Sequence, residues 1–217
     1  MYNRKIMTMI FKDRTDAAKK LAEKLLWLKN ENIVIFAIPR GGMIIGEVVS
    51  SILGCKLDVI ISRKITAPNN PELAIGAVMH DGSYFPNIAI TRMLGISDNY
   101  VKEEIAKQRK EIEHRLTKFR GSNEYDLTEK TIILVDDGVA TGATMLVAAQ
   151  WIEKQKPKKL IIAIPVGPKE TVDKLNQIAD DVVVLQSPYV FNAVSDFYHI
   201  FDQVDDSEVH KIIQKSI

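Results

Sequence analysis

Thr131 to Met145 reads T-I-I-L-V-D-D-G-V-A-T-G-A-T-M, and the fold follows from how its three pieces must behave. Thr131 to Val135 is a short, β-branched apolar run, the mark of a strand buried on both faces of a sheet. Asp136 and Asp137 set two carboxylates side by side where that strand ends. Gly138 to Thr144 is rich in Gly, Ala and Thr and leads into an apolar periodic segment, Met145 to Ile152, that reads as a helix.

A strand, two acids, a small-residue loop and a helix make a phosphate site with something attached. Glycines let backbone N–H groups approach an anion with no Cβ in the way. The helix N-terminus adds unsatisfied donors and a partial positive charge of roughly +0.5, and Thr141 and Thr144 can add hydroxyls. Carboxylates repel phosphate, so Asp136 and Asp137 are expected to accept hydrogen bonds from sugar hydroxyls or to hold a hydrated divalent cation. A nucleotide P-loop would need G-x-x-x-x-G-K-S/T, and no Lys follows Gly142. A receiver-type aspartate pair follows the first strand of its domain, whereas here more than half the chain precedes the acids. An ordinary strand-to-helix turn explains the acids but not their convergence with glycines and hydroxyls.

Upstream, Ile33 to Ile38 is a second continuous apolar strand, ending in Pro39-Arg40-Gly41-Gly42 ahead of an amphipathic helix from Met43 to Leu53. This junction carries a cation in place of acids. Arg40 can present a planar fork to phosphate oxygens, and Gly41-Gly42 permits a tight backbone; a plain turn explains the motif equally well. Leu57 to Ser62 reads as the next strand, followed by Arg63-Lys64-Ile65-Thr66-Ala67-Pro68-Asn69-Asn70-Pro71, a polar loop without helical or strand periodicity. The segment from Ala74 to Ile90, with a turn at Asp81-Gly82, includes a hairpin pattern.

Asp13 caps a helix running to about Lys29, with Ala17, Leu21, Ala22, Leu25 and Leu28 on one face. A long charged helix starts at Ser97 or Asp98, runs to about Phe119 and stops at Gly121. Its charges of both signs form a solvated face, and Val101, Ile105, Ile112 and Leu116 form a seam for the sheet or for another subunit, so a homo-oligomer is possible. Leu160 to Val166 and Asp181 to Gln186 complete five strands, with a helix from about Pro168 to Ile178 between them. Strands joined by helical crossovers predict a mostly parallel sheet covered on both faces, with its ligand site outside the strand C-termini. Arg40, Arg63, Lys64, Asp136 and Asp137 all fall at expected strand C-termini. The segment from Tyr189 to Phe201 is the densest aromatic stretch, and it either folds over the strand ends or packs on the core.

The 217 residues, 46% of them hydrophobic, fit one α/β domain with elaborations, a long charged helix at about 97–121 and a tail segment at about 187–204. A net charge of +1 gives no bulk electrostatic case for nucleic acid or membrane. Cys55 is the single cysteine, which excludes an intrachain disulfide framework and fits a reducing, cytoplasmic setting. The histidines His80, His114, His199 and His210 show no metal-ligand spacing. No apolar run reaches a membrane-spanning length, and the opening M-Y-N-R-K-I-M-T-M-I has too short an apolar core for a signal peptide.

V-D-D-G-V-A-T-G-A-T resembles the phosphoribosyl-pyrophosphate (PRPP) signature of the type I phosphoribosyltransferases, matching from Ile132 to Thr144 without departure. A-I-P-R-G-G resembles that family's pyrophosphate loop, and Arg63-Lys64 with the following loop resembles its mobile catalytic loop. F-K-D-R-T-D-A-A, R-K-I-T-A-P-N-N-P-E-L-A-I-G-A-V and F-N-A-V-S-D-F-Y extend the resemblance over most of the chain, closest to a bacterial-type group without an assigned acceptor. The resemblance implies a five-stranded core with a small hood, and displacement of pyrophosphate from C1 of PRPP by a nitrogen acceptor, a nucleobase or related compound, with Mg²⁺. It implies that Asp136 and Asp137 hold the ribose hydroxyls, and the metal through water. Gly138, Ala140, Thr141, Gly142 and Thr144 would cradle the 5′-phosphate, while Arg40, Gly41, Gly42, Arg63 and Lys64 would meet pyrophosphate. Tyr189, Phe191 and Phe197 would offer aromatic faces to the acceptor. A PRPP-sensing regulator without chemistry, or a hydrolase of a phosphorylated sugar, would share the cradle.

Overall fold

The structure is a computed structural model that describes residues 10–216; the first nine residues, most of the stretch read above for a signal peptide, lie outside them. Five strands form the central sheet: β1 Ile33–Ala37, β2 Lys56–Val59, and three that follow a long excursion. The excursion contains β3 Ser62–Ala67, β4 Asn70–Met79 and β5 Tyr84–Pro86. The later core strands are β6 Thr131–Val135, β7 Lys159–Val166 and β8 Asp181–Gln186. The core order is β2-β1-β6-β7-β8, and every pairing is parallel. The expected five-stranded parallel sheet is present.

Alternation along each strand divides the interior into two layers. Ile33, Ile35, Ala37, Ile133, Val135, Ile161 and Ala163 face one side, packed with α1 (Arg14–Leu25) and α2 (Gly42–Leu53). Val34, Phe36, Ile132, Leu134, Ile162 and Ile164 face the other, packed with α5 (Ala143–Lys154) and α6 (Lys169–Leu175). Burial on both faces is why β1 and β6 are uninterrupted apolar runs.

Helix α1 starts where the Asp13 side chain accepts from Asp16 N at 2.8 Å. Its predicted face, Ala17, Leu21, Ala22 and Leu25, is buried, and Leu28 lies buried in a 3₁₀ turn beyond it. Among the described residues, the α-helices not read from the sequence are α3 (Ile88–Met93) and α7 (Asp206–Ser216). Between them in sequence, α4 spans Asp98–Arg120, capped by Ser97 and ended by Gly121 at φ 70°. Its seam docks inward, with Ile112 and Leu116 fully buried and Val101 and Ile105 half-buried against the same layer.

One expectation is corrected. The core strand read as Leu57 to Ser62 ends at Val59, and the Arg63 to Pro71 stretch is a hairpin and not an irregular loop. β3 pairs antiparallel with β4 from Ser62↔Met79 to Ala67↔Asn70, turning at Pro68-Asn69, where Asn69 has φ 61°. Cross-strand pairing supplies backbone partners that local composition does not reveal. Ile65 and Ala67 point into the core, a period of two hidden among the polar and proline residues. Arg63 and Lys64 therefore sit inside a strand of a second, three-stranded antiparallel sheet, β3-β4-β5, and not at the end of a core strand. The hairpin read between Ala74 and Ile90 is β4–β5, closed by Met79 N donating to Ser83 O at 3.0 Å.

Candidate active site

The chain leaves β1, returns through α2 to β2 on one side of it, and later enters β6 on the other side. That reversal makes the C-terminal ends of β1 and β6 the topological switch point, where sheets of this kind open a crevice. Arg40, Gly41 and Gly42 follow β1, and Asp136 and Asp137 follow β6, so the two motifs meet there.

The meeting is intimate enough to explain both glycines. A Cβ on Gly41 would stand 1.8 Å from Asp137 Oδ2, and one on Gly42 would stand 3.0 Å from the Asp136 Cα and Oδ1. The Pro39–Arg40 peptide is cis. Arg40 itself is exposed at the mouth. Asp136 Oδ1 accepts from Asp137 N at 2.8 Å. Burial, and then the neighbouring Asp137 charge, raises the Asp136 carboxyl well above the ordinary carboxylate range. Burial pushes Asp137 up as well, against Arg14, which pulls it down.

Arg14, in the first turn of α1, is a site residue that motif reading missed. Its Nε donates to Asp137 Oδ2 at 2.7 Å, with side-chain exposures of only 11% and 13%. Its Nη1 donates to Asp202 O at 2.7 Å, and its guanidinium lies 3.8 Å from the Phe201 ring centroid. The signal was the F-K-D-R-T-D-A-A stretch, but nothing local ties that Arg to an acid 123 residues away. Arg14, Arg40, Gly41, Asp137, Asp202 and Gln203 are among the residues around a cleft of about 330 Å³.

The small-residue loop behaves as its composition requires. Val139 turns inward and donates from its N–H to Val166 O at 2.9 Å, while Ala140 and Thr141 remain exposed. Thr171 Oγ1 donates to Ala140 O at 2.8 Å. Gly142 begins α5 at φ 74° with no side-chain cap, leaving first-turn N–H groups of the kind that have no intrahelical acceptor. Gly138 lies where a Cβ would press on Val194 Cγ1 at 2.7 Å, so the tail packs on the loop.

Arg63 and Lys64 part company. Ser62 Oγ donates to Thr144 O at 3.4 Å, and Lys64, two residues on, shares that face; it pairs with Ala77, which packs against α5. Arg63 faces the other way, its Nε donating to Gln108 Oε1 of α4 at 2.9 Å. Lys64 is exposed on the α5 side, and Arg63 is engaged with the long helix. The aromatic tail divides too. Phe197, 4% exposed, stacks on half-buried Phe191 at 5.2 Å between centroids, so its ring serves packing. Tyr189 is 90% exposed. Tyr198 is buried and its hydroxyl donates to the Asp137 carbonyl.

No cluster of three or more His, Cys, Asp or Glu side chains suited to a metal occurs among the described residues. Asp136 and Asp137 offer carboxylate oxygens of the type magnesium takes, but two such groups are too few to enclose the ion by themselves. Among the described residues no helix is long and apolar enough to cross a membrane.

A family model described as a phosphoribosyl transferase domain matches residues 8–201. The chain belongs to the phosphoribosyltransferase family. A relative from Mycobacterium tuberculosis (strain H37Rv), named a "putative phosphoribosyl transferase", is 35% identical over 208 residues. That match covers 95% of this chain and 47% of the relative, so the chain spans about half the relative's length. The crystal structure of TT1426 from Thermus thermophilus superposes with a TM-score of 0.82 at 36% identity, covering 96% of this chain and 99% of that one. In this member of the family the Pro-Arg-Gly-Gly loop packs directly against Asp136 and Asp137 at one cleft.

Proposed function

We propose that this chain transfers the 5-phosphoribosyl group of PRPP to a nitrogen acceptor, a nucleobase or related compound, and releases pyrophosphate. The observation that carries this reading is the contact of the Gly41-Gly42 backbone with Asp136 and Asp137 beside the uncapped start of α5. One crevice thereby offers sugar-hydroxyl acceptors, anion donors and a cation at its mouth.

In the reaction the C1–oxygen bond to pyrophosphate breaks, the bond from the acceptor nitrogen to C1 forms, and the nitrogen's proton leaves to solvent. The transition state is oxocarbenium-like, so positioning and electrostatics supply the rate. Mg²⁺ would neutralise charge on the departing pyrophosphate. Asp136 and Asp137 orient the ribose through its hydroxyls. The N–H groups of Gly138, Ala140, Thr141, Gly142 and Thr144 and the two threonine hydroxyls hold the 5′-phosphate, with Ala140 and Thr141 at its open edge, while the Val139 N–H is taken by Val166 O. Arg40 and the Gly41-Gly42 backbone face the pyrophosphate, and Lys64 approaches from the hairpin. Exposed Tyr189 and half-buried Phe191 remain the aromatic candidates for the acceptor.

The experiment is a screen of purine, pyrimidine and other nitrogen compounds with Mg·PRPP, scoring pyrophosphate release. Acceptor-dependent release that falls in Asp137→Asn supports the transferase. Tight PRPP binding without release from any acceptor makes a PRPP sensor the better reading.

A further inference from the structure

We infer that Arg14 and Tyr198 form a two-point clamp that positions Asp137 for the sugar, tying the first turn of α1 and the tail to the crevice. The inference rests on the phosphoribosyl reading above. Arg14 Nε holds one carboxylate oxygen of Asp137 at 2.7 Å, and the Tyr198 hydroxyl holds the backbone carbonyl of the same residue. The side chain and the main chain of one acid are thus fixed from outside its own loop. A carboxylate has two oxygens; Arg14 grips Oδ2, and the Asp137 side chain also faces that of Asp136, so a sugar hydroxyl would meet the two acids as a pair.

The clamp is itself anchored. Arg14 Nη1 donates to Asp202 O, and its guanidinium lies over the Phe201 ring. The tail is zipped to the residues before α1: Phe11 N donates to Phe197 O at 2.8 Å, His199 N to Phe11 O at 2.9 Å and Ile200 N to Lys12 O at 2.9 Å. A cation in the first turn of a helix opposes the helix dipole, so helix formation gives no reason for Arg14; its partners do. Gly41 closes the remaining side, since any Cβ there would strike Asp137 Oδ2 and approach Arg14 Nε to 3.0 Å. Arg14 is a positioning residue, acting on substrate through Asp137.

A staple that merely held the fold would affect every ligand alike, whereas a clamp on the sugar-binding acid affects ligands that contain the sugar. The test is calorimetric titration of wild type, Arg14→Gln and Arg14→Lys with Mg·PRPP, ribose 5-phosphate and Mg·pyrophosphate. Arg14→Gln is expected to weaken both ribose ligands at least about tenfold and to leave pyrophosphate within about twofold. Arg14→Lys, which keeps the charge and loses the fork, is expected to fall between. Equal losses toward all three ligands, or no loss, overturn the clamp. Should Arg14→Gln not fold, Tyr198→Phe removes only the hydroxyl and decides by the same split: selective loss supports the clamp, and uniform or absent loss overturns it. A wild-type protein that binds none of the three overturns the phosphoribosyl reading and the clamp together, which separates that failure from a clamp failure in a protein that does bind PRPP.

Discussion

Asp136 and Gly41 show what single residues contribute to the crevice and what they cost. Burial and the adjacent Asp137 raise the Asp136 carboxyl well above its ordinary value of 3.8. At this carboxyl the folded state therefore holds more protons than the unfolded chain between 3.8 and that raised value. The stability that this group contributes falls as pH rises through this window. Asp136→Asn removes the ionisable group, so near neutral pH the variant is expected to melt higher than wild type, by about 2–4 °C for each kcal/mol recovered, and to lose the advantage at low pH. Thermal melts at pH 4 and pH 7 check this; a lower melting temperature at pH 7 contradicts it. Gly41→Ala places a methyl where Asp137 Oδ2 stands. It should leave the protein folded, because Gly41 lies at the crevice and not in the core, yet weaken Mg·PRPP at least about tenfold by displacing the acid. Circular dichroism beside calorimetry separates the two effects. The placement of Asp136, Asp137 and Gly41 at strand ends was legible in sequence because each lies in a local strand-to-loop pattern. Arg14 was not, because its partner is 123 residues away and only the folded sheet brings them together.

At the scale of elements, the β3–β4 hairpin alters what Arg63 and Lys64 are expected to do. In a loop the two would be equivalent; on a strand, alternate side chains take opposite faces. Lys64 lies on the α5 side, and Arg63 bonds Gln108 on α4. Lys64→Ala should accordingly lower pyrophosphate release more than Mg·PRPP affinity, as expected of a group that acts when the bond breaks. Arg63→Ala should reduce release less, and lower the melting temperature by loosening α4 from the hairpin. Steady-state rates beside binding constants test the pair; equal losses of release in the two variants contradict the division. The hairpin is hidden in the sequence because two prolines and two asparagines outweigh the Ile65 and Ala67 alternation in a local window. Helix α7 is hidden for a different reason: Val209, Ile212 and Ile213 form its buried face, but the aromatic stretch before it is the stronger local signal. The long helix α4 is legible almost to the residue, since Ser97 and Gly121 are strong local start and stop signals.

For the whole molecule, the parallel order β2-β1-β6-β7-β8 does the organising. It places the loops after β1 and β6 against each other at the point where the chain reverses direction across the sheet. The tail then packs on Gly138 and grips Asp137. Strand identity and the parallel arrangement followed from apolar runs and crossovers, whereas the packing of the tail on the acid loop required the folded chain. The central claim is that this crevice is a PRPP site built around the two acids. Its most direct measurement is calorimetric titration with Mg·PRPP of wild type and of the Asp136→Asn, Asp137→Asn double variant, which keeps shape and removes charge-assisted acceptors worth about 1.5–3 kcal/mol each. Saturable binding to wild type, weakened at least about tenfold in the double variant, is the predicted result; equal affinity in the two proteins contradicts the account.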